Sequence, residues 1–297
     1  MRSALERIHG RVDVHSAFAP LETATGVIVP LRVGAGSPLP YVSSALVLKC
    51  AFIAEESIGM RVQHNWHADC PTAPVAPVLW LDGSDVACSA VMYRADTSVS
   101  LGFDSASTTL LCERIAALHD AQPHSHTGLF TSLSQRFASL LHHPLDGPYA
   151  QLLRVGAEFA RELLAEPLDV TYLHGDAHHG NLLYFGVAHD RQTREGARQW
   201  KFIDFKGLHG ESTFDYCNLM FNPQLAFAAR LDVFTSRLEL VVHHLEGLHN
   251  KPMRERYLRW LVAYGCLSAA WHQEDDNLES VEGTLAVVRN AVTALEL

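Results

Sequence analysis

The sequence predicts an α+β protein: a small antiparallel β-rich lobe, residues 1–94, followed by a larger, mainly helical lobe, residues 95–297. Three observations carry this expectation. Between Phe18 and Met92 the stretches VIVPLRV, YVSSALVLKC and APVLWLDGSDVACSAVMYR read as strands separated by Gly/Pro-rich or polar breaks. Beyond Arg94 the apolar residues recur at helical spacing instead. With 297 residues, 48% of them hydrophobic and 19% charged, the chain has the apolar mass for a large core in one or two domains.

The elements follow in order. Asp82-Gly83-Ser84 between VLWL and VACSAVMY predicts a hairpin, because Asp-Gly supplies the positive φ of a tight turn. The stretch AEESIGMRVQHNW, with Ile58, Val62 and Trp66 at helical spacing, predicts one helix among the strands. Three apolar stripes predict helices in the second lobe: Leu110, Leu111, Ile115 and Leu118; then Leu129, Phe130, Leu133, Phe137, Leu140 and Leu141; then Leu152, Leu153, Phe159, Leu163 and Leu164. A short β island, DVTYL, NLLYF and WKFIDF, interrupts them, and the last ninety or so residues return to helix with a break at LEGLHNKP. A β-rich lobe followed by a helical one suggests a ligand cleft where they meet.

Composition narrows the function. A formal net charge of −10 argues against a nucleic-acid surface and favours a neutral or cationic partner. The chain has no apolar run of membrane-spanning length and its N-terminus lacks a secretory apolar block, so the expected location is cytoplasmic, with no membrane partner. The six cysteines lie far apart without a C-x-x-C pair and are expected to be reduced.

The chemistry concentrates in YLHGDAHHGNLL, Tyr172 to Leu183. Asp176 is followed after four residues by Asn181, and the next apolar strand, WKFID, ends in Asp204. One carboxylate and one amide oxygen, completed by phosphates and waters, suit a hard Mg²⁺ ion beside a nucleotide. That assigns Asn181 and Asp204 to the metal and leaves Asp176 to orient a hydroxyl.

The spacing H-x-D-x-x-x-x-N with a later aspartate is the catalytic-loop pattern of kinase-fold enzymes. LHGDAHHGN resembles the HGDLHPGN-type loop of aminoglycoside phosphotransferases. FIDFKGLHGESTFDYCNLMFNP resembles the segment reading roughly IDPKG, GE, FD, N and NP in the streptomycin and hydroxyurea branch, the aminoglycoside/hydroxyurea antibiotic resistance kinases. The resemblance implies a bilobal protein-kinase-like fold and transfer of the ATP γ-phosphate, with Mg²⁺, to a hydroxyl of a streptomycin-like aminoglycoside or of hydroxyurea. It implies a resistance role and a monomer or homodimer.

It also implies residue roles. Lys49 in ALVLKC would sit on the α and β phosphates, paired with Glu56 on the following helix. Thr25 and Gly26 would belong to the phosphate-covering turn, with Gly34 to Pro38 the next turn, and Met92 to Arg94 to the adenine-side hinge. His174, His178 and Asp215 would shape the catalytic loop. Trp271, Glu274 and Asp275, at the end of an apolar helix, would border the acceptor, where carboxylates suit ammonium groups; the alternative for this acidic cluster is a solvated helix-to-helix turn. The chain departs from the pattern at His179, where relatives carry Pro, at Phe205 in place of the Pro of IDP, and in a less regular hinge.

Rival readings stand beside this one. GDAHHGN superficially resembles a metallophosphoesterase block, but the downstream blocks that complete a dinuclear site are missing. His64, His67 and Cys70 have metal-like spacing without an evident fourth ligand. A nucleotide-binding pseudokinase would be expected to lack one of Lys49, Asp176, Asn181 or Asp204, and all four are present. A kinase of another small metabolite, a sugar or an amino alcohol, uses the same core.

Overall fold

In a computed structural model the described residues are 14–17, 20–23, 25–33, 46–125, 127–144, 146–186 and 199–296. The chain divides into two compact units, Met1–Ser100 with Ala121–Leu129 and Leu183–Gly207, and Leu101–Asp120 with Phe130–Leu182 and Leu208–Leu297.

The first unit is built on an antiparallel sheet. Its strands are β1 (Val14–Ala17), β2 (Leu21–Glu22), β3 (Gly26–Val33), β4 (Leu46–Ala51), β5 (Val78–Gly83) and β6 (Cys88–Tyr93). The order is β1-β3-β4-β6-β5, with β2 paired to the end of β3. Alternation along the strands makes two faces. Leu46, Leu48 and Cys50 pack with Val29, Leu31 and Val91 on one of them. Ala51, Cys88, Ala90 and Met92 pack with Met60 on the other. Met60 belongs to helix α1 (Ala54–Asp69), which turns Val62, Gln63 and Trp66 inward and donates the Trp66 indole N–H to the Ala121 carbonyl at 2.6 Å. Lys49 has the parity of Ala51 and therefore lies on the helix-covered face.

The predicted hairpin of β5 and β6 forms, and Gly83 has a φ of +122°. The turn is nevertheless longer than the sequence predicts. Gly83 still pairs with Cys88, and Ser84 to Ala87 close the loop through a 2.9 Å hydrogen bond from the Ser84 N–H to the Ala87 carbonyl. The turn expected at Gly34 to Pro38 lies outside the described residues. A second, two-stranded sheet joins β9 (Leu182–Tyr184) to β10 (Trp200–Phe202). The stretch from Pro74 to Ala76 fastens β10 through hydrogen bonds to and from Phe202.

The second unit is mainly helical. Two of the three predicted stripes form single helices, α2 (Ser105–Asp120) and α5 (Ala150–Ala165). The stripe from Leu129 to Leu141 does not. Thr127–Leu129 form a 3-10 turn, Thr131–Ser132 a strand, β7, and two one-turn helices follow, α3 (Leu133–Arg136) and α4 (Ala138–Leu141). The cause is local: Ser132 and Gln135 close a reciprocal capping box that starts a helix at Leu133, while β7 is drawn into pairing with β11 (Leu208–Glu211). β11 also pairs antiparallel with β8 (Val170–Leu173).

The C-terminal part is helical throughout: α6 (Leu225–Ala228), α7 (Leu231–His249), α8 (Arg254–Glu274) and α9 (Leu278–Glu296). The break at LEGLHNKP is a left-handed Asn250, φ +50°, after α7. Helix α8 is buried on nearly every side, with Tyr257, Trp260, Leu261, Val262, Cys266 and Ala270 all inaccessible or nearly so, and it packs against α5 and α9. Among the described residues no helix is long and apolar enough to cross a membrane.

Candidate active site

In the first unit the sequence-predicted residues Lys49, Glu56 and Asp204 converge. Lys49 is 5% exposed, and its ammonium donates to Glu56 and, at 2.5 Å, to Oδ1 of Asp204. Burial alone would lower the Lys49 pKa, but the charges of Asp204 and Glu56 outweigh it and raise the group above its ordinary value. Glu56 lies in the first turn of α1, where the helix dipole favours a carboxylate. Asp204 is not the last residue of a strand, as expected, because β10 ends at Phe202. It occupies the left-handed region at φ +61°, a conformation that non-glycine residues adopt mostly where the surroundings enforce it.

The other first-unit predictions are more dispersed. The Thr25 carbonyl accepts from the Phe52 N–H at 2.9 Å, and Gly26 opens β3 opposite Ala51. The turn before it is closed by Thr23, whose side chain donates to the Gly26 carbonyl at 3.0 Å. The Met92 side chain is buried and its sulfur accepts from Gln63 at 3.6 Å. Arg94 is exposed and, with Ala95, Asp96, Thr97, Phe185 and Gly186, lines a depression of about 300 Å³. His64 and Cys70 are engaged by the carbonyls of Val78 and Gln122, and no group of three or more His, Cys, Asp or Glu among the described residues could hold a metal.

In the second unit Asp176 is held by three neighbours. The Asn218 amide donates to its Oδ1 at 2.5 Å, and the Asn181 amide donates to its Oδ2 at 3.3 Å and to its backbone carbonyl at 3.0 Å. His178 lies 3.9 Å from Oδ1. Because Asn181 turns its NH₂ toward Asp176, its carbonyl oxygen is the group left to face a ligand.

The loop that carries Asp176 is pinned from below. Buried Asp215 accepts from the backbone N–H groups of His174 and Gly175, both at 2.8 Å, and its Oδ2 lies 2.9 Å from Nε2 of His119. His174 is fully buried, and its Nδ1 accepts from the Asp176 N–H at 3.1 Å. His178 caps the following turn by accepting from the Gly180 N–H. His179 is buried with both ring nitrogens unpartnered; burial first, then Arg237 and His178, push its pKa down to about 3. Its ring packs 5.2 Å from that of Phe103.

Trp271, Glu274 and Asp275 close the end of α8. The Arg136 guanidinium lies 4.3 Å from the centre of the Trp271 ring, Glu274 is exposed, and Asp275 caps the helix through its N–H to the Trp271 carbonyl.

Three residues the sequence reading gave no role emerge here. Asn218, the N of the FDYCN stretch, reaches Asp176; Lys206 lies 3.6 Å from Oε2 of Glu56; Glu211 gathers Arg256, Trp260 and the Leu168 N–H. All three sit in FIDFKGLHGESTFDYCNLMFNP, so the motif contained them, but side-chain partners 40 or more positions away are not visible in spacing.

The sequence profile of the aminoglycoside/hydroxyurea antibiotic resistance kinases matches residues 91–276. The chain is similar to streptomycin 3''-kinase of Klebsiella pneumoniae, 31% identical over 291 residues, covering 92% of this chain and 93% of that protein. Among solved structures it resembles a thermostable mutant of aminoglycoside phosphotransferase APH(4)-Ia in complex with ADP and hygromycin B, with a TM-score of 0.59, 12% identity and 97% of each chain covered. It also resembles the GDP complex of aminoglycoside 2'-phosphotransferase-IIIa, with a TM-score of 0.61, 12% identity, and 98% of this chain and 97% of that one covered. The chain belongs to the aminoglycoside/hydroxyurea antibiotic resistance kinase family, and it is a phosphotransferase with a kinase-like fold.

Proposed function

We propose that this protein transfers the γ-phosphate of ATP to a hydroxyl of a streptomycin-type aminoglycoside and so confers resistance to it. The observation that carries the reading is the fixed Asp176 carboxylate, oriented by Asn218 and Asn181 on a loop pinned by Asp215, in a chain 31% identical to a streptomycin kinase. Asp176 accepts or orients the proton of the acceptor hydroxyl, which attacks the γ-phosphorus in line. Because the transition state of phosphoryl transfer is loose, placement of this carboxylate matters more than its basicity.

Lys49 steadies the α and β phosphates, a task for which a strand-fixed ammonium paired with Glu56 is suited. Thr25 and Gly26 in the phosphate-covering turn, and Met92 to Arg94 at the hinge, complete the nucleotide contacts of an N-terminal lobe, residues 1–94. The catalytic and acceptor groups belong to residues 95–297. Asp204 and the Asn181 amide oxygen are hard oxygen donors of the kind Mg²⁺ prefers, and in this reading they would be its protein ligands. When bound, such an ion neutralises the phosphate oxygens during transfer.

The acceptor reading rests on charge. Glu274, Asp275 and Asp276 sit where α8 presents the negative end of its dipole, so this terminus favours a cation from outside. Trp271, already covered by a guanidinium on the Arg136 side, borders the same corner. The cationic acceptor, a cytoplasmic location and a monomeric or dimeric state belong to this proposal. Hydroxyurea is the second acceptor to test, because it shares the family's description.

The test is ADP release from Mg·ATP by purified protein across streptomycin, other aminoglycosides, hydroxyurea and small sugar alcohols. Streptomycin-dependent turnover is expected; turnover stimulated only by a sugar alcohol would replace the acceptor while keeping the reaction.

A further inference from the structure

Glu56 has two carboxylate oxygens and two lysines. Oε1 accepts from Lys49, and Oε2 lies 3.6 Å from Nζ of Lys206, beyond hydrogen-bond range but within ion-pair range. The charges form a chain in the first unit, Asp204, Lys49, Glu56, Lys206, alternating in sign. Neither the motif reading nor the kinase-fold roles give the second lysine a task.

The backbone fixes where Lys206 can reach. The segment Asp204 to Gly207 lies directly on α1. A side chain at Gly59 of that helix would collide with the Phe205 carbonyl, and one at Gly207, φ +61°, would come within 2.7 Å of Cγ2 of Val62. The Phe205 ring lies 5.4 Å from that of Trp66 on the same helix. The segment is thus clamped on both sides of Lys206. Two residues after Asp204, the Lys206 Cα is within about 7 Å of the Asp204 Cα. The lysine side chain, 19% exposed, meets Glu56 only at ion-pair range among the described residues and has a long, rotatable stem. An ammonium held 3.6 Å from a carboxylate makes a loose contact, and a phosphate oxygen offers a shorter, charge-assisted hydrogen bond in its place.

We propose that Lys206 is a second phosphate-contacting residue: it rests on Glu56 and moves to the γ-phosphoryl group of the bound triphosphate, while Lys49 stays on the α and β phosphates. This rests on the phosphotransferase reading above. It gives the site a cation that senses the terminal phosphate and follows it through transfer. It also makes Glu56 a shared holder for both lysines.

The test compares the dissociation constants of Mg·ADP and Mg·AMP-PNP by titration calorimetry, which needs no acceptor. The native protein is expected to prefer AMP-PNP. In Lys206→Met that preference should fall by about tenfold, through weaker AMP-PNP binding, with ADP affinity held within about twofold. Lys206→Arg should retain most of it. ADP binding also reports that each variant is folded. An unchanged preference in Lys206→Met, or an equal loss for both nucleotides, overturns the proposal and leaves the phosphotransferase reading intact. Failure of the native protein to bind either nucleotide overturns both.

Discussion

The side-chain amide of Asn218 donates to Oδ1 of Asp176 across 42 positions of sequence. Asn218 is itself braced, since the Asn222 amide donates to its carbonyl and to its Oδ1, both at 3.0 Å. The Asp176 carboxylate is therefore aimed by a residue outside its own loop. Asn218→Ala should lower kcat by about 10- to 100-fold, the scale expected for misplacing a reacting group, with ADP affinity unchanged. Parallel loss of ADP affinity would show that Asn218 supports the fold at large instead of aiming Asp176.

Glu56→Gln keeps the shape but removes the charge that Lys49 faces. Lys49 then retains Asp204 alone, and nucleotide affinity should fall by about tenfold or more. Calorimetric titration with Mg·ADP checks it; native-like affinity would mean that Asp204 suffices to hold the lysine.

Glu211 is 1% exposed and accepts from the Arg256 guanidinium, the Trp260 indole and the Leu168 N–H, so it fastens β11 to α8. Removing this buried carboxylate leaves the half-buried Arg256 uncompensated and the Trp260 indole and Leu168 N–H without their acceptor. Glu211→Ala should therefore destabilise the protein by about 3–5 kcal/mol, measured by chemical denaturation. A loss below about 1 kcal/mol would place the pair among weak surface bridges.

His244 gives a pH signature. Its pKa is lowered, by burial first and then by His243, against a hydrogen bond to the Cys112 backbone. A base with a depressed folded-state pKa binds its proton more readily unfolded, so stability is lost as pH falls below the ordinary value of 6.5. His244→Leu should lose less thermal stability than the native protein between about pH 7.5 and pH 5. An identical pH dependence in both would remove His244 from the acid response.

Much of the candidate site's geometry was legible because the residues concerned lie close together in sequence. Asp176 and Asn181 share one short loop, and Lys49 to Glu56 spans a strand end and a first helical turn. Strand parity alone puts Lys49 on the face that α1 covers. The sheet and the long helices were legible for the same reason, since their periodicities are local. What sequence reading missed was set by tertiary pairing. The stripe from Leu129 to Leu141 has helical spacing, yet pairing with β11 turned Thr131–Ser132 into a strand. Strand β11 itself, LHGE, has no period to find. Asn218, Lys206 and Glu211 act on partners far away in sequence, and Asp204 lies beyond the strand in a left-handed conformation.

The most direct measurement is phosphoryl transfer from Mg·ATP to streptomycin by the native protein and by Asp176→Asn, followed by ³¹P NMR of the product. The native protein should yield a phosphorylated aminoglycoside. Asp176→Asn should bind ATP as before but turn over at least about a hundredfold more slowly. Full activity in that variant would contradict the account.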